Sequence, residues 1–163
     1  MKHEDFCVLY RYPADRDILT RKLFDVNLRL YKSSAQYQRI VRDCGAYILW
    51  CAQTEKEGYK KPHGYSGANA GIPFNIIATP EEVMLNPKII VASDEMVESV
   101  SNCGSLCLDS PIPIQRHAKI TFTYYDLDLV LHQVTGRYFT IQHEIDHNNG
   151  VLIWDRETKG EEG

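Results

Sequence analysis

Two imidazoles four residues apart, with a glutamate directly after the first, occur once in the chain as His143, Glu144 and His147 within TIQHEIDHNNG. On a helix, positions i and i+4 share a face, so both rings can aim at one point, and Glu144 stands beside it, able to move a proton for a water held there. That is the arrangement a hydrolytic divalent metal requires; two core histidines beside a surface glutamate is the plain alternative. Such a metal takes three protein ligands and keeps one position open. Downstream, residues 148–163 contain neither His nor Cys, only Asp155, Glu157, Glu161 and Glu162 near the end, so the third ligand should lie upstream. There NCGSLCLDSPIP offers Cys107, flanked by leucines and followed by Pro111. Cys103 ranks second, because Gly104 leaves it on a looser backbone and a ligand needs a fixed one.

The elements that must position these residues can be read coarsely. Thr135 can cap a helix running to about Asn148, with Asn149-Gly150 suited to a left-handed exit. Tyr138, Ile141 and Ile145 share one face of it, and Phe139, Thr140, His143 and His147 another, so this helix should be central. After Pro13, the spacing of Leu19, Leu23, Val26 and Leu30 predicts a helix over residues 14–31. Ser33 or Ser34 can cap a second helix whose buried stripe is Tyr37, Ile40, Cys44, Ile48 and Cys51. EKEGYKKPHGYSGANAGIP reads as loop. FNIIATP, KIIVAS, KITFTYYDLD and VLHQVT read as strands, with Asn86-Pro87 and the Pro111 to Pro113 segment as breaks. The expected fold class is α+β, with antiparallel β-sheets packed around the central HExxH helix and helices at the N-terminus, in a single domain over 1–163.

Composition narrows the function classes. A net charge of −4 argues against a polyanion-binding surface, so no direct nucleic-acid site is expected. Apolar runs such as GAYILWCA fall far short of the ~20 residues of a membrane span, and the acidic start MKHEDFCVLY does not read as a targeting signal. Five cysteines at irregular spacings (Cys7, Cys44, Cys51, Cys103 and Cys107) are unlike a secreted disulfide framework and fit a reducing cytoplasm.

GYSGANAGIP, SLCLDSP and QHEIDHNNG, in that order, resemble the three motifs of peptide deformylases, and MLNPKII between the first two also resembles that family. The resemblance implies Cys107, His143 and His147 as metal ligands and Glu144 as general acid and base. It further implies a side-chain amide at Asn69 and the Leu108 N–H as oxyanion donors. Gly64 and Tyr65 would pair with the substrate backbone, and Phe139 and Thr140 would line a methionine pocket. The implied reaction is metal-dependent removal of the formyl group from N-formylmethionyl nascent peptides, with release of formate. The implied cofactor is one divalent ion, Fe(II) in cells, with Zn, Ni or Co able to replace it. The implied setting is a cytoplasmic monomer in transient contact with the ribosome. The chain departs from the family pattern at Asn69 (for Gln), Ser105 and Leu106 (for Glu-Gly), Asp109 (for Ser) and Asn148 (for Leu), and it is shortened between Cys107 and His143. These departures keep alive a second reading, a degenerate relative that binds metal and formyl peptide with little turnover. A third, a zinc endopeptidase, lacks its downstream ligand.

Overall fold

The computed structural model describes residues 14–54, 64–101, 103, 106 and 110–156. The N-terminal apolar residues are buried as their spacing predicts, but not on one helix. Helix α1 covers only Arg16–Leu19, and α2 covers Leu28–Ser33. Between them the chain is extended, with Phe24 bridging Phe74 in parallel. Asn27 explains the restart, since its side chain accepts the Leu30 N–H and caps α2. Leu19, Leu23 and Val26 are core residues all the same, while Leu30 is largely exposed. Their spacing therefore marked burial rather than continuous helix.

Ser34 caps α3 (Ala35–Gln53) by accepting the Tyr37 N–H at 3.2 Å. The buried stripe of α3 is Val41, Gly45, Ile48, Cys51 and Ala52; Ile48 and Cys51 are buried as expected, Tyr37 and Cys44 pack half-buried against the same core, and Ile40 is exposed. Gly45 allows this: a Cβ there would lie 3.0 Å from Val83 Cγ1, so the helix rests closely on the sheet.

That sheet has five antiparallel strands in the order β1-β2-β3-β6-β7, where β1 is Tyr65–Ser66, β2 Ile76–Ala78, β3 Val83–Ala92, β6 Ile120–Tyr125 and β7 Leu131–Gly136. A separate antiparallel pair joins β4 (Met96–Ser101) to β5 (Ile112–His117). The expected breaks are local: one falls inside a strand as a bulge, and the other ends where β5 begins, right after Pro111. Asn86-Pro87 lies inside β3, where the register against β6 slips between Leu85 and Lys88 and Asn86 takes φ 52°. The Asn86 side chain accepts from Val26 N–H and donates to Val26 C=O, which anchors this bulge to the N-terminal segment. Pro113 sits in β5 opposite Val100, where a two-stranded sheet leaves an edge that needs no further N–H. β4 itself carries no sequence signal strong enough to have been expected; its side chains are exposed or half-buried in alternation.

Helix α4 (Phe139–Asn148) starts three residues later than expected, with Tyr138 rather than Thr135 at its N-cap. Thr135 belongs to β7, opposite Thr121, with their hydroxyls hydrogen-bonded at 2.8 Å. Ile141 and Ile145 of α4 pack against Ile77, Met84, Ile120, Phe122 and Tyr124 of the sheet. The fold is therefore the expected mixture of helices and antiparallel sheet around α4. Among the described residues no helix is long and apolar enough to cross a membrane.

Gly150 ends α4 with φ +75°, and a Cβ there would meet the Thr20 carbonyl oxygen at 2.3 Å. Gly150→Ala should therefore lower stability by about 2 kcal/mol or more, from the left-handed backbone and the contact together. A urea midpoint within error of the parent would remove this junction from the determinants of the fold.

Candidate metal centre

One turn of α4 brings the two imidazoles together. His143 Nε2 and His147 Nε2 are 3.1 Å apart, with the rings nearly perpendicular at 86°. Cys103 Sγ lies 3.2 Å from His147 Nε2, and all three donor atoms fall within 4.8 Å of one another. Ordinary zinc-like bond lengths in a tetrahedron put nitrogen pairs about 3.3 Å and nitrogen–sulfur pairs about 3.6 Å apart, close to these spacings. Burial holds the His143 imidazole well below its usual range, helped by His147 and Arg116. Burial also brings His147 down to about 4, with Asp146 opposing and Arg116 reinforcing. Both rings are thus neutral at physiological pH, the form that ligates metal. His147 Nδ1 is buried without a hydrogen-bond partner. Two neutral imidazoles and a thiol converging on one point fit a divalent ion. Cys107 and Leu108 lie outside the described residues. Cys103 is packed with Leu19, Leu106, Ile114, Leu152 and Ile153, and the Leu106 N–H donates to its carbonyl at 3.1 Å.

Glu144 is 5% exposed and its Oε2 has no hydrogen-bond partner. Burial pushes its carboxyl up to about 8, against the pull of a Ser66 hydrogen bond and the Arg116 charge. The backbone of Gly64 rests on it: a Cβ at Gly64 would come within 2.8 Å of Thr140 Cγ2 and 2.9 Å of Glu144 Cγ. Only glycine fits that approach. Tyr65 then opens β1, the edge strand of the sheet among the described residues.

From β1 the chain turns through Gly67, Ala68, Asn69 and Ala70. Asn69 Oδ1 accepts from Ser66 N–H at 3.2 Å and from Ser66 Oγ–H at 2.5 Å. A backbone N–H can only donate, so Oδ1 is fixed toward Ser66 and the amide nitrogen faces away from it. Phe139 and Thr140 form the first turn of α4, with the Arg137 guanidinium 5.4 Å over the Phe139 ring. Gly64, Thr140 and Glu144 are thus in contact, Ser66 links Glu144 to Asn69, and His143 and His147 complete the cluster.

Three neighbours were missed from sequence. Ser66 is one. The others are Arg116 of β5, 3% exposed, and Asp146 of α4, which it pairs with; Arg156 also grips Asp146 at 2.9 Å. The available signal was strand alternation, which puts Arg116 on the same inward face as Ile114.

Residues 46–162 match the family model described as polypeptide deformylase. The peptide deformylase of Streptococcus gordonii is 37% identical over 81 residues, covering 47% of this chain and 40% of the relative. That of Streptococcus pneumoniae (strain Hungary19A-6) is 36% identical over 124 residues, covering 63% and 61%. The chain thus spans about 40 to 61% of the length of these curated relatives. Among solved structures, the peptide deformylase of Thermotoga maritima superposes with a TM-score of 0.74 at 18% identity, over 92% of this chain and 96% of that one. The Met-Ala-Ser-bound class I type b peptide deformylase of Acinetobacter baumannii gives 0.68 at 22% identity, over 91% and 96%. These two likenesses concern the fold, which they share with this protein. With a family model matched over more than two thirds of its residues, the chain belongs to the polypeptide deformylase family.

Proposed function

We propose that this protein hydrolyses the N-formyl group of N-formylmethionyl peptides, releasing formate and a free N-terminal amine. The observation that supports it most is the pairing of two neutral, convergent imidazoles with a buried Glu144 carboxyl whose Oε2 has no hydrogen-bond partner, beside β1, an edge strand among the described residues. A divalent ion bound by His143, His147 and a thiolate would supply Lewis acidity and an activated water; the family resemblance favours Fe(II). Glu144, in its ionised form, accepts the proton of the attacking water and passes it to the departing amine. The Asn69 amide and the Leu108 N–H hold the charge that develops on the formyl oxygen. Gly64 and Tyr65 pair with the peptide backbone by addition to the β1 edge, and Phe139 and Thr140 border the methionine side chain. Its partners are then newly made chains still close to the ribosome, and its setting the cytoplasm, as a monomer.

Motif order favours Cys107 as the thiolate; the 3.2 Å contact with His147 favours Cys103 as a second reading. Protein purified without oxygen should carry about one divalent ion, and Cys107→Ala should release it. Retention in Cys107→Ala with loss in Cys103→Ala assigns the ligand to Cys103.

Wild-type protein should release formate from formyl-Met-Ala-Ser and act on neither the acetylated peptide nor casein. Glu144→Ala should keep the metal and lose turnover by ~10²–10⁴-fold, the usual share of general acid and base work. A variant with more than half the parent kcat ends this role for Glu144.

Asn69→Ala should lower kcat by ~10²-fold with metal retained, as loss of one oxyanion donor does. If that change has no effect while Asn69→Gln raises turnover tenfold, the weakly active reading takes precedence.

A further inference from the structure

Asn148 follows His147 directly and is 2% exposed, although the motif it interrupts has a leucine there. A buried primary amide is destabilising unless its hydrogen-bonding groups find partners. Here they do, with one partner in the turn that carries Asn69 and two where that turn runs on into β2. Asn148 Nδ2 donates to Asn75 Oδ1 at 3.0 Å and to the Ile76 carbonyl at 3.1 Å. Its Oδ1 accepts the Ala68 N–H at 3.4 Å. The Ile76 carbonyl also accepts the Gly67 N–H at 2.9 Å, so helix and turn converge on one acceptor.

The turn is rigid within itself. Ile72 N–H and Ala70 N–H both donate to the Gly67 carbonyl, at 2.9 and 3.1 Å, and Gly71 N–H donates to that of Ala68. A Cβ on Gly67 would sit 2.4 Å from the Phe74 carbonyl oxygen, so the turn is also pressed against the strand that follows. A unit this closed moves as a body, and where Asn69 stands depends on how the unit is fastened to α4. Asparagine fastens it with directional bonds; leucine would offer only apolar contact.

We propose that Asn148 is a positioning residue that clamps the 67–71 turn to the histidine helix and thereby sets the placement of the Asn69 side chain. Asn69 is shorter than glutamine by one methylene, so its reach falls short by ~1 Å or more against the narrow range of a useful hydrogen bond. The clamp draws the turn in and offsets that shortfall. The two departures from the family pattern, Asn69 and Asn148, act as a pair. This inference rests on the proposed role of Asn69 in catalysis for its kinetic consequence, though not for its structural one.

Two measurements test it. In amide hydrogen exchange, Asn148→Leu should speed exchange at Ala68 by tenfold or more while the Ile145 and His147 amides keep their protection. In formate release, Asn148→Leu should lower kcat about tenfold, the scale of a sub-ångström misplacement, with KM within twofold and metal content unchanged. The same substitution in an Asn69→Ala background should cost less than twofold, because the effect passes through Asn69. A purely structural role would cost the same in both backgrounds. Should Asn148→Leu not fold, Asn75→Ala removes one partner of the Asn148 amide from outside the helix and should give the same selective pattern. Unchanged exchange at Ala68, or equal cost in both backgrounds, overturns the proposal. If the wild-type protein releases no formate, it is the proposed deformylase function that fails, and the Ala68 exchange still decides whether the clamp exists.

Discussion

The structure depends on burying polar side chains on one helix. Of the six buried residues of α4, four are Gln142, Glu144, His147 and Asn148, against only two isoleucines. Groups of this kind destabilise a core unless they are paired, so the elements around α4 are arranged to supply partners. Gln142 is held at both ends by the backbone of His117, at 3.1 and 3.0 Å, and so ties α4 to β5. Asn148 ties it to β2 and to the turn after β1. Two buried side-chain atoms of this helix have no hydrogen-bond partner, Glu144 Oε2 and His147 Nδ1. Both belong to the HExxH motif. Glu144 Oε2 is thus left to meet water or substrate, whereas His147 Nδ1 lies across the ring from the Nε2 that faces His143 and Cys103.

The electrostatics follow from the same burial. Arg116 is nearly inaccessible and pairs with Asp146 on the helix between the two histidines. A buried ion pair gives little net stability, because desolvating both charges offsets their attraction. Its effect on the neighbours is clearer. The guanidinium charge and the loss of water act in the same direction on both imidazoles, keeping them uncharged and able to ligate. On Glu144 the two effects oppose each other and burial wins, so its carboxyl takes up a proton near neutrality. One environment therefore sets the histidines and the glutamate in complementary protonation states.

How far this was legible in the sequence can be judged residue by residue. The histidine spacing and the glycine exit at Gly150 were readable because helix geometry is local. The start of α4 was misread at Thr135, since a capping residue looks the same whether a helix follows or a strand continues through it. The irregularity at Asn86-Pro87 was readable, but not that the strand continues through it, because the bonds that absorb it come from Val26, sixty residues away. Arg116 escaped for the same reason, and Ser66, though it stands within GYSGANAGIP, has a role that appears only once Glu144 is beside it. Asn148 was visible as a departure, but a reason for an amide there exists only once Asn75, Ile76 and Ala68 are beside it.

These contacts form a ring that leaves α4 and returns to it one turn later. It runs from Glu144 to the Ser66 hydroxyl, on to Asn69, through the turn to Ala68, and back to Asn148. The two helix positions are four residues apart, so their separation is fixed by the helix itself, at about 6 Å along its axis. The two histidines that would hold a metal occupy the same turn, but their mutual spacing depends on the helix alone and not on the ring. A change in the ring should therefore alter the distance between Glu144 and Asn69 while leaving the two imidazoles convergent. Metal binding and proton transfer would thus rest on separable parts of one short helix. That separation lets the turn carrying Asn69 depart from the family pattern without disturbing His143 and His147.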